Sequence, residues 1–381
     1  MGKKYVNTLL KAVVIIFIVV IIDLLGVAFL ALKTISIPFV PNRNIDQMSD
    51  YYTAVWKSVK GNSVDNGRFE IIDVTDCSRR DITEILKAVS NMSPKVIGLD
   101  VSYISEENPT EDSLLVQTIL SIPNIVLPVV FQDNEQGQDA FDYSIFYDQL
   151  KDKDYGVVSF PNNRDVIRKF TPVFNVGNQS IDAFGCVIAN KTGADLSSID
   201  RQKEMIINYT TLKLEDDDEL PGFQFLNMNQ RDSISLASQI TGKIVLIGGT
   251  KHTNDQHLTP LGNSLSGVMI HAHIVNSLIE NKVIHSTSLI IRYLLCLIVA
   301  VVAIMWNDKS KESEEKRKSI WITISLWCFL FLISVILFAG IGTFLFCRYN
   351  YYINFSPYIV TIIMAHLLKD KTITIGKLCK Q

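Results

Sequence analysis

The chain has 381 residues, 48% of them hydrophobic, with a mean hydropathy of +0.22 and a formal net charge of −3. It is longer than one ordinary domain and too apolar for a wholly soluble chain. Residues 33–286 hold 22 Lys+Arg against 33 Asp+Glu and the remainder 14 against 6, so an acidic block of −11 sits between basic, apolar ends of +8. That balance excludes a disordered chain, a simple cytosolic enzyme and a nucleic-acid binder, because the block keeps no basic face able to grip phosphates.

The first eleven residues carry Lys3, Lys4 and Lys11, and 12–32 follow as a run whose only charge is Asp23. At 1.5 Å per residue the run reaches about 31 Å, enough for one helix to cross a bilayer core. A cleaved signal peptide would have a shorter apolar stretch and a small-residue cleavage site before Lys33, so an uncleaved anchor is expected.

From 33 to 68 the composition is mixed, with Pro38, Pro41, Gly61 and Gly67 and the aromatics Tyr51, Tyr52 and Trp56, which reads as a stalk and a first helix. Apolar, β-branched runs then appear at 69–74, 96–101, 125–131, 155–160, 205–209 and 244–247. Helical periodicity fills 82–90, 113–120, 181–191, 233–239 and 268–280. Near-continuous apolar strands alternating with helices predict an α/β extracytoplasmic domain, a mostly parallel sheet with helices on both faces, over 33–286. The acidic run 215–219 reads as a solvated loop; a calcium loop would need EF-hand spacing, which does not follow.

Three more apolar runs complete the chain, at 287–306, 319–341 and 351–368. Trp306 and Trp321 flank the loop 307–318, while Phe344, Phe346, Tyr349, Tyr351 and Tyr352 crowd the turn 342–350, the aromatic pattern of membrane interfaces. The loop 307–318 carries Lys309, Lys311, Lys316, Arg317 and Lys318, and the tail 369–381 carries Lys369, Lys371, Lys377 and Lys380, whereas the turn has only Arg348. The positive-inside rule puts the N-terminus, loop and tail in the cytoplasm and the block outside, with four transmembrane helices. Cys77 and Cys186 are the only cysteines in the block, and two free thiols fit better than a bridge across so long a separation.

Several stretches of the block share a pattern. In 242–279, "GKIVLIGGTKHTNDQHLTPLGNSLSGVMIHAHIVNSLI", a strand ends in Ile-Gly and is followed by Asp255, Thr259-Pro260, Gly267, His271 and Ala272. "KVIGLDVSY" at 95–103 carries Asp100, with Asp112 downstream, and "YGVVSFPNNRDVIRKFTPVF" at 155–174 carries Arg168. The block resembles the second of the CHASE families, the cyclase- and histidine-kinase-associated sensory extracellular domains of bacteria, and so does the layout of one span before it and three after. Two positions depart from the pattern: Asp76-Cys77-Ser78-Arg79-Arg80 stands where a Trp-Pro turn and an Arg are usual, and Val166 stands where a Gly is usual. In that family an output domain follows the third C-terminal span, whereas here 13 residues follow Leu368. The resemblance therefore implies a membrane sensor that acts through a separate partner.

No G-x-S-x-G, H-E-x-x-H or P-loop occurs, so the block is expected not to be an enzyme, and no cofactor is implied. Gly248-Gly249-Thr250 after a strand either cradles an anion or makes a tight turn at positive φ. His252, His257, His271 and His273 fall close together, but no zinc spacing matches, and two helical positions i and i+2 point nearly opposite ways, so a structural His271 is expected over a metal ligand.

In a parallel sheet the strand C-termini share one edge, where ligands bind. Asp73, Asp100, Gly248, Gly249, Thr250, Asp255, Thr259 and His271 are expected to meet there, with Arg168 added by the resemblance. They suit a cationic or polyhydroxylated ligand or a divalent ion, or else the acids are ordinary loop caps. Within the spans, Asp23 and Arg292 either pair or lie apart, Arg292 reaching outward.

The expectation is a multi-pass sensory protein of the bacterial cytoplasmic (inner) membrane, its large domain outside (periplasmic in a Gram-negative cell) and both termini inside. It detects an external small ligand or envelope signal and relays it to a cytoplasmic or membrane partner acting in trans, or to a second copy in a homodimer. The alternative is a non-enzymatic envelope scaffold.

Overall fold

The computed structural model describes residues 2–24, 49–50, 52–53, 55–56, 67–132, 139–160, 166–197, 199–212, 219–226, 228–252, 255–314 and 320–368. The chain divides into two compact units, Met1–Val55 with His285–Gln381, and Trp56–Ile284. The first unit opens with α1, Gly2–Leu24. It begins at Gly2 instead of the expected residue 12, because the three lysines of that stretch are good helix formers. Residues 25–32 of the expected span, and the stalk to residue 48, lie outside the described residues.

The second unit alternates strands and helices. In chain order come β1 (Phe69–Asp73), α2 (Arg79–Asn91), β2 (Val96–Asp100), α3 (Pro109–Ser121), β3 (Ile125–Gln132), β4 (Ala140–Asp142), the single turn α4 (Tyr147–Leu150) and β5 (Asp154–Val157). After them come β6 (Lys169–Phe170), the hairpin β7 (Val173–Val176) and β8 (Gln179–Asp182), α5 (Phe184–Lys191), β9 (Met205–Ile206), β10 (Leu220–Pro221) and α6 (Gln230–Ile240). The unit closes with β11 (Ile244–Gly248), the hairpin β12 (Gln256–Leu258) and β13 (Ser264–Ser266), and α7 (Gly267–Ile279). Helix starts are written locally: Ser78 with Asp81 and Asn229 with Asp232 form capping boxes, and Asn108 caps α3 ahead of Pro109.

The sheet has seven strands in the order β10-β1-β11-β2-β3-β4, with β5 also on β3, and every pair is parallel except β3 with β4. Strand residues alternate between two cores, as period-two geometry requires. Ile71, Val96, Val126, Ile244 and Leu246 face α5 and α7, while Ile72, Ile97, Leu99, Val245 and Ile247 face α2, α3 and α6. Cys186 belongs to the first core and Cys77 borders the second, so two free thiols lie on opposite faces of the sheet. The run 205–209 is not a strand of this sheet. Only Met205–Ile206 is extended, paired antiparallel with β6, because Asn208 turns the chain by accepting from the Thr210 N–H and hydroxyl.

The first unit resumes with β14 (His285–Ser286), α8 (Leu289–Glu314), α9 (Ile320–Tyr349), β15 (Tyr351–Tyr352) and α10 (Ser356–Leu367), and β14 pairs parallel with β15. Val6–Asp23, Leu289–Lys309 and Phe331–Tyr349 are helices long and apolar enough to cross a membrane. Within the expected fourth span at 351–368 lie β15 and the apolar α10, whose 12 residues make about 18 Å of helix. Two expected connections are helical instead. The loop expected at 307–318 continues α8 through Glu314, since its polar residues include no Gly or Pro to stop a helix. The turn expected at 342–350 is the end of α9, which stops only at Asn350, whose φ of 52° is the left-handed conformation that terminates helices. Gly342 sits inside that helix because an added Cβ would fall 2.1 Å from the Phe355 ring and 2.5 Å from the Tyr52 hydroxyl. Ala12, Ile15 and Val19 of α1 pack with Ala300 and Ile304 of α8 and Ala365 of α10.

Candidate functional site

Register places three of the expected residues on one row. Asp73 pairs with Gly248, and Gly248 with Asp100, each the last residue of its strand. They therefore open together on the carboxyl edge of the sheet.

The three do different work. Asp73 accepts from the Thr75 N–H (3.0 Å), the Thr75 hydroxyl (2.6 Å) and the Thr250 N–H (3.0 Å), and lies 3.3 Å from Lys251 Nζ. Burial alone would raise its carboxyl, but these hydrogen bonds hold it down at about 2, so it is an ionised tie between the loops after β1 and β11. Gly248 and Gly249 are not at positive φ. Close approach explains them: a Cβ on Gly248 would stand 3.2 Å from Val268 Cβ and 3.3 Å from Asp100 Cβ, and one on Gly249 would stand 2.5 Å from the His252 ring. Asp100 makes no hydrogen bond or ion pair with the described residues. Burial, and then the nearby Asp255 charge, push its carboxyl up to about 7.

Asp255 lies at the start of α7. Its Oδ2 accepts from the Gly267 N–H at 3.1 Å and its Oδ1 meets His257 Nε2 at 3.1 Å. A carboxylate there answers both an open N–H and the positive end of the helix dipole. Gly267 is required for this closeness, since its Cβ would fall 2.8 Å from Asp255 Oδ1. Ser266, the residue before the helix, makes no side-chain cap; its Oγ is buried without a hydrogen-bond partner.

His271, one turn into α7, is 2% exposed and neither ring nitrogen makes a hydrogen bond. Its ring stacks on Phe160 at 4.8 Å and meets Phe184 edge-on at 5.2 Å, and Phe160 also contacts His257 at 5.7 Å. Burial drives its pKa down to about 4 despite the Asp255 charge, so the ring is neutral at pH 7.

Two more expected residues have local partners. Thr259 bonds to Asn263 through its hydroxyl and backbone, closing the turn between β12 and β13. Arg168 donates to the Val166 carbonyl, and its charge bears on buried Tyr209. Phe160, His257 and Ser266 were not among the expected site residues, and Gly267, expected from the quoted motif to lead a helix, is where α7 starts. Among the described residues no group of three His, Cys, Asp or Glu is arranged for a metal ion.

In the first unit, Asp23 Oδ2 accepts from the Tyr293 hydroxyl at 2.8 Å and lies 3.5 Å from Arg292 Nη1. The end of α1 and the start of α8 thus share one acid, with Tyr293 as a partner that the sequence reading did not include.

No curated protein and no solved structure matches the chain. The CHASE2 domain family matches residues 59–306, which takes in the α/β unit from β1 to α7 and continues into α8. With that match over more than half of its length, the chain belongs to the CHASE2 family, a family of sensory extracellular domains.

Proposed function

We propose that the α/β unit lies outside the cytoplasmic membrane of a bacterium and detects a small ligand or envelope signal at the carboxyl edge of its sheet, without catalysing a reaction. Both termini lie inside, and the signal passes through the spans to a partner protein or a second copy of the chain. The observation that carries the reading is the set of buried polar atoms without a hydrogen bond at the start of α7, both ring nitrogens of His271 and Ser266 Oγ, on a helix whose Val268 stands against Gly248 of the edge row. Unpaired buried groups cost about 1–3 kcal/mol each, and a scaffold has no use for them, whereas a ligand satisfies them.

Helix α7 supports the relay. It is buried along its length, with the unsatisfied groups at its start and a polar network at its end. There Arg68 Nη1 reaches Asn276 Oδ1 (2.8 Å) and Glu280 Oε1 (3.4 Å), Asn276 Nδ2 donates to Thr211 O (2.9 Å), and Ser277 Oγ to Asn208 O (3.3 Å). Arg68 immediately precedes β1, and Glu280 shortly precedes the chain's exit from the unit at Ile284. One rigid helix therefore joins the site to both ends of the domain chain. Photocrosslinking in the native membrane tests the reading, with a crosslinker placed in 307–314. Capture of a partner or second copy, with a yield that changes in Asp100→Asn, supports it. No capture, or a yield indifferent to Asp100, overturns it.

A further inference from the structure

The connection between α9 and α10 holds the two stretches of chain that lead into and out of the α/β unit. Residues 49–50 and 52–53, shortly before that unit begins at Trp56, are helical and buried. The Tyr52 ring lies 5.4 Å from Phe346, 6.0 Å from Tyr352 and 6.1 Å from Phe355, and its hydroxyl donates to the Ile353 carbonyl at 3.2 Å. On the exit side the unit ends at Ile284, and the next residues are bonded to the same segment. The His285 N–H donates to Asn350 O at 2.8 Å, and β14 pairs with β15. Tyr352 O then accepts from both the N–H and the hydroxyl of Thr287, each at 3.2 Å. Residues 346–355 thus grip the entry and the exit at once.

The two grips differ in kind. Tyr52 sits in a ring cluster that continues through Phe355 to Phe338 at 5.7 Å and Tyr358 at 6.1 Å, and packed aromatic pairs of this sort resist displacement. β14 and β15 have two residues each, with His285 and Ser286 exposed, and so short a ladder is among the weakest elements of a fold. An anchor needs only one helix in and one helix out, α1 and α8. A further pair whose connection holds both chain ends has a use in reading their relative displacement. We infer that the α9–α10 connection receives the signal of the α/β unit, with Tyr52 as its fixed point and the β14–β15 pair as a clasp that opens and closes. The inference rests on the sensory role proposed above and names the place where that signal enters the membrane helices. Closing the clasp ties the chain just before α8 to the chain just before α10, and opening it frees one from the other. Coupling of this kind is reciprocal, so fixing the clasp in one state also biases the α/β unit.

The test is hydrogen exchange, read by mass spectrometry on the full-length protein in lipid nanodiscs, with the clasp locked or opened. His285→Cys with Tyr351→Cys puts thiols on register partners, whose Cα atoms sit about 4.8 Å apart across the ladder and within disulfide range, and spares the Tyr52 cluster. Thr287→Pro removes both donors to Tyr352 O and opens the clasp. The readout is the start of α7, residues 267–273, because about 20 Å of helix ends there, away from the chain exit, and a local tether would not move it. Exchange at 267–273 should be about fivefold slower in the oxidised pair than in the same protein reduced, and about fivefold faster in Thr287→Pro than in wild type. Wild type given the same oxidant sets the baseline for the native cysteines. Changes confined to 285–287 and 350–356, with 267–273 alike in the oxidised, reduced and proline proteins, overturn the inference and leave the connection a structural brace. A response at 267–273 with crosslinking at 307–314 unaltered sustains the clasp and counts against the relay to a partner alone.

Discussion

Asp100 and His271 sit near a common carboxylate, and burial charges them opposite costs. Asp100 is held near 7 in the folded chain against an ordinary 3.8, so the folded state keeps a proton that the unfolded state releases. Its contribution is complete below about 4 and is lost as pH rises through 7. Asp100→Asn should therefore melt above wild type at pH 8, on the order of 2 kcal/mol after discounting for the residue's remaining exposure, and match it near pH 4. His271 runs the other way. Depressed to about 4 from 6.5, it contributes fully above 6.5, and that stability disappears as pH falls through 4. Urea unfolding of His271→Gln across this window should show a flatter pH dependence than wild type; an unchanged slope would mean the ring is already solvated. Asp73, held at about 2, is an acid of a third kind, whose contribution persists until pH falls below its ordinary range.

At the scale of elements, long signals were legible and short ones were not. The strands at 69–74, 96–101, 125–131 and 244–247 and the helices between them appear where apolar runs and capping residues put them, since each buries a full face. Strands of two to four residues, such as β10 and the hairpins β7–β8 and β12–β13, have too few alternations to announce themselves. The edge row Asp73–Gly248–Asp100 could be read because parallel strands align their C-termini. The division of labour among its acids could not, since Asp255's bond to Gly267 N depends on a hairpin that folds it back onto α7. Gly267→Ala tests that contact. A methyl 2.8 Å from Asp255 Oδ1 must displace the carboxylate from the helix start, at a cost of about 1 kcal/mol, as for loss of a cap. Denaturant midpoints of Gly267→Ala and Asp255→Asn should fall by similar amounts, and the double variant should lose little more than either.

Over the whole molecule, hydropathy set the plan of an acidic α/β unit between apolar helices, while the ends of those helices shifted because apolar length and helix length are different quantities. The acid shared by α1 and α8 gives this plan a testable joint. Asp23→Arg and Arg292→Asp should each reduce the yield of folded protein in membranes, and the charge-swapped double variant should recover much of it. Tyr293→Phe should cost about 1 kcal/mol, the value of a single hydrogen bond. No recovery in the swap would mean that the two charges act independently. The most direct test of a sensory carboxyl edge is a thermal-shift screen of small metabolites on the full-length protein, run in parallel on wild type, Asp100→Asn and His271→Gln. The account predicts at least one compound that raises the Tm of wild type and leaves both variants unmoved. Stabilising compounds that shift all three proteins equally would contradict it, and the site would then lie away from the start of α7.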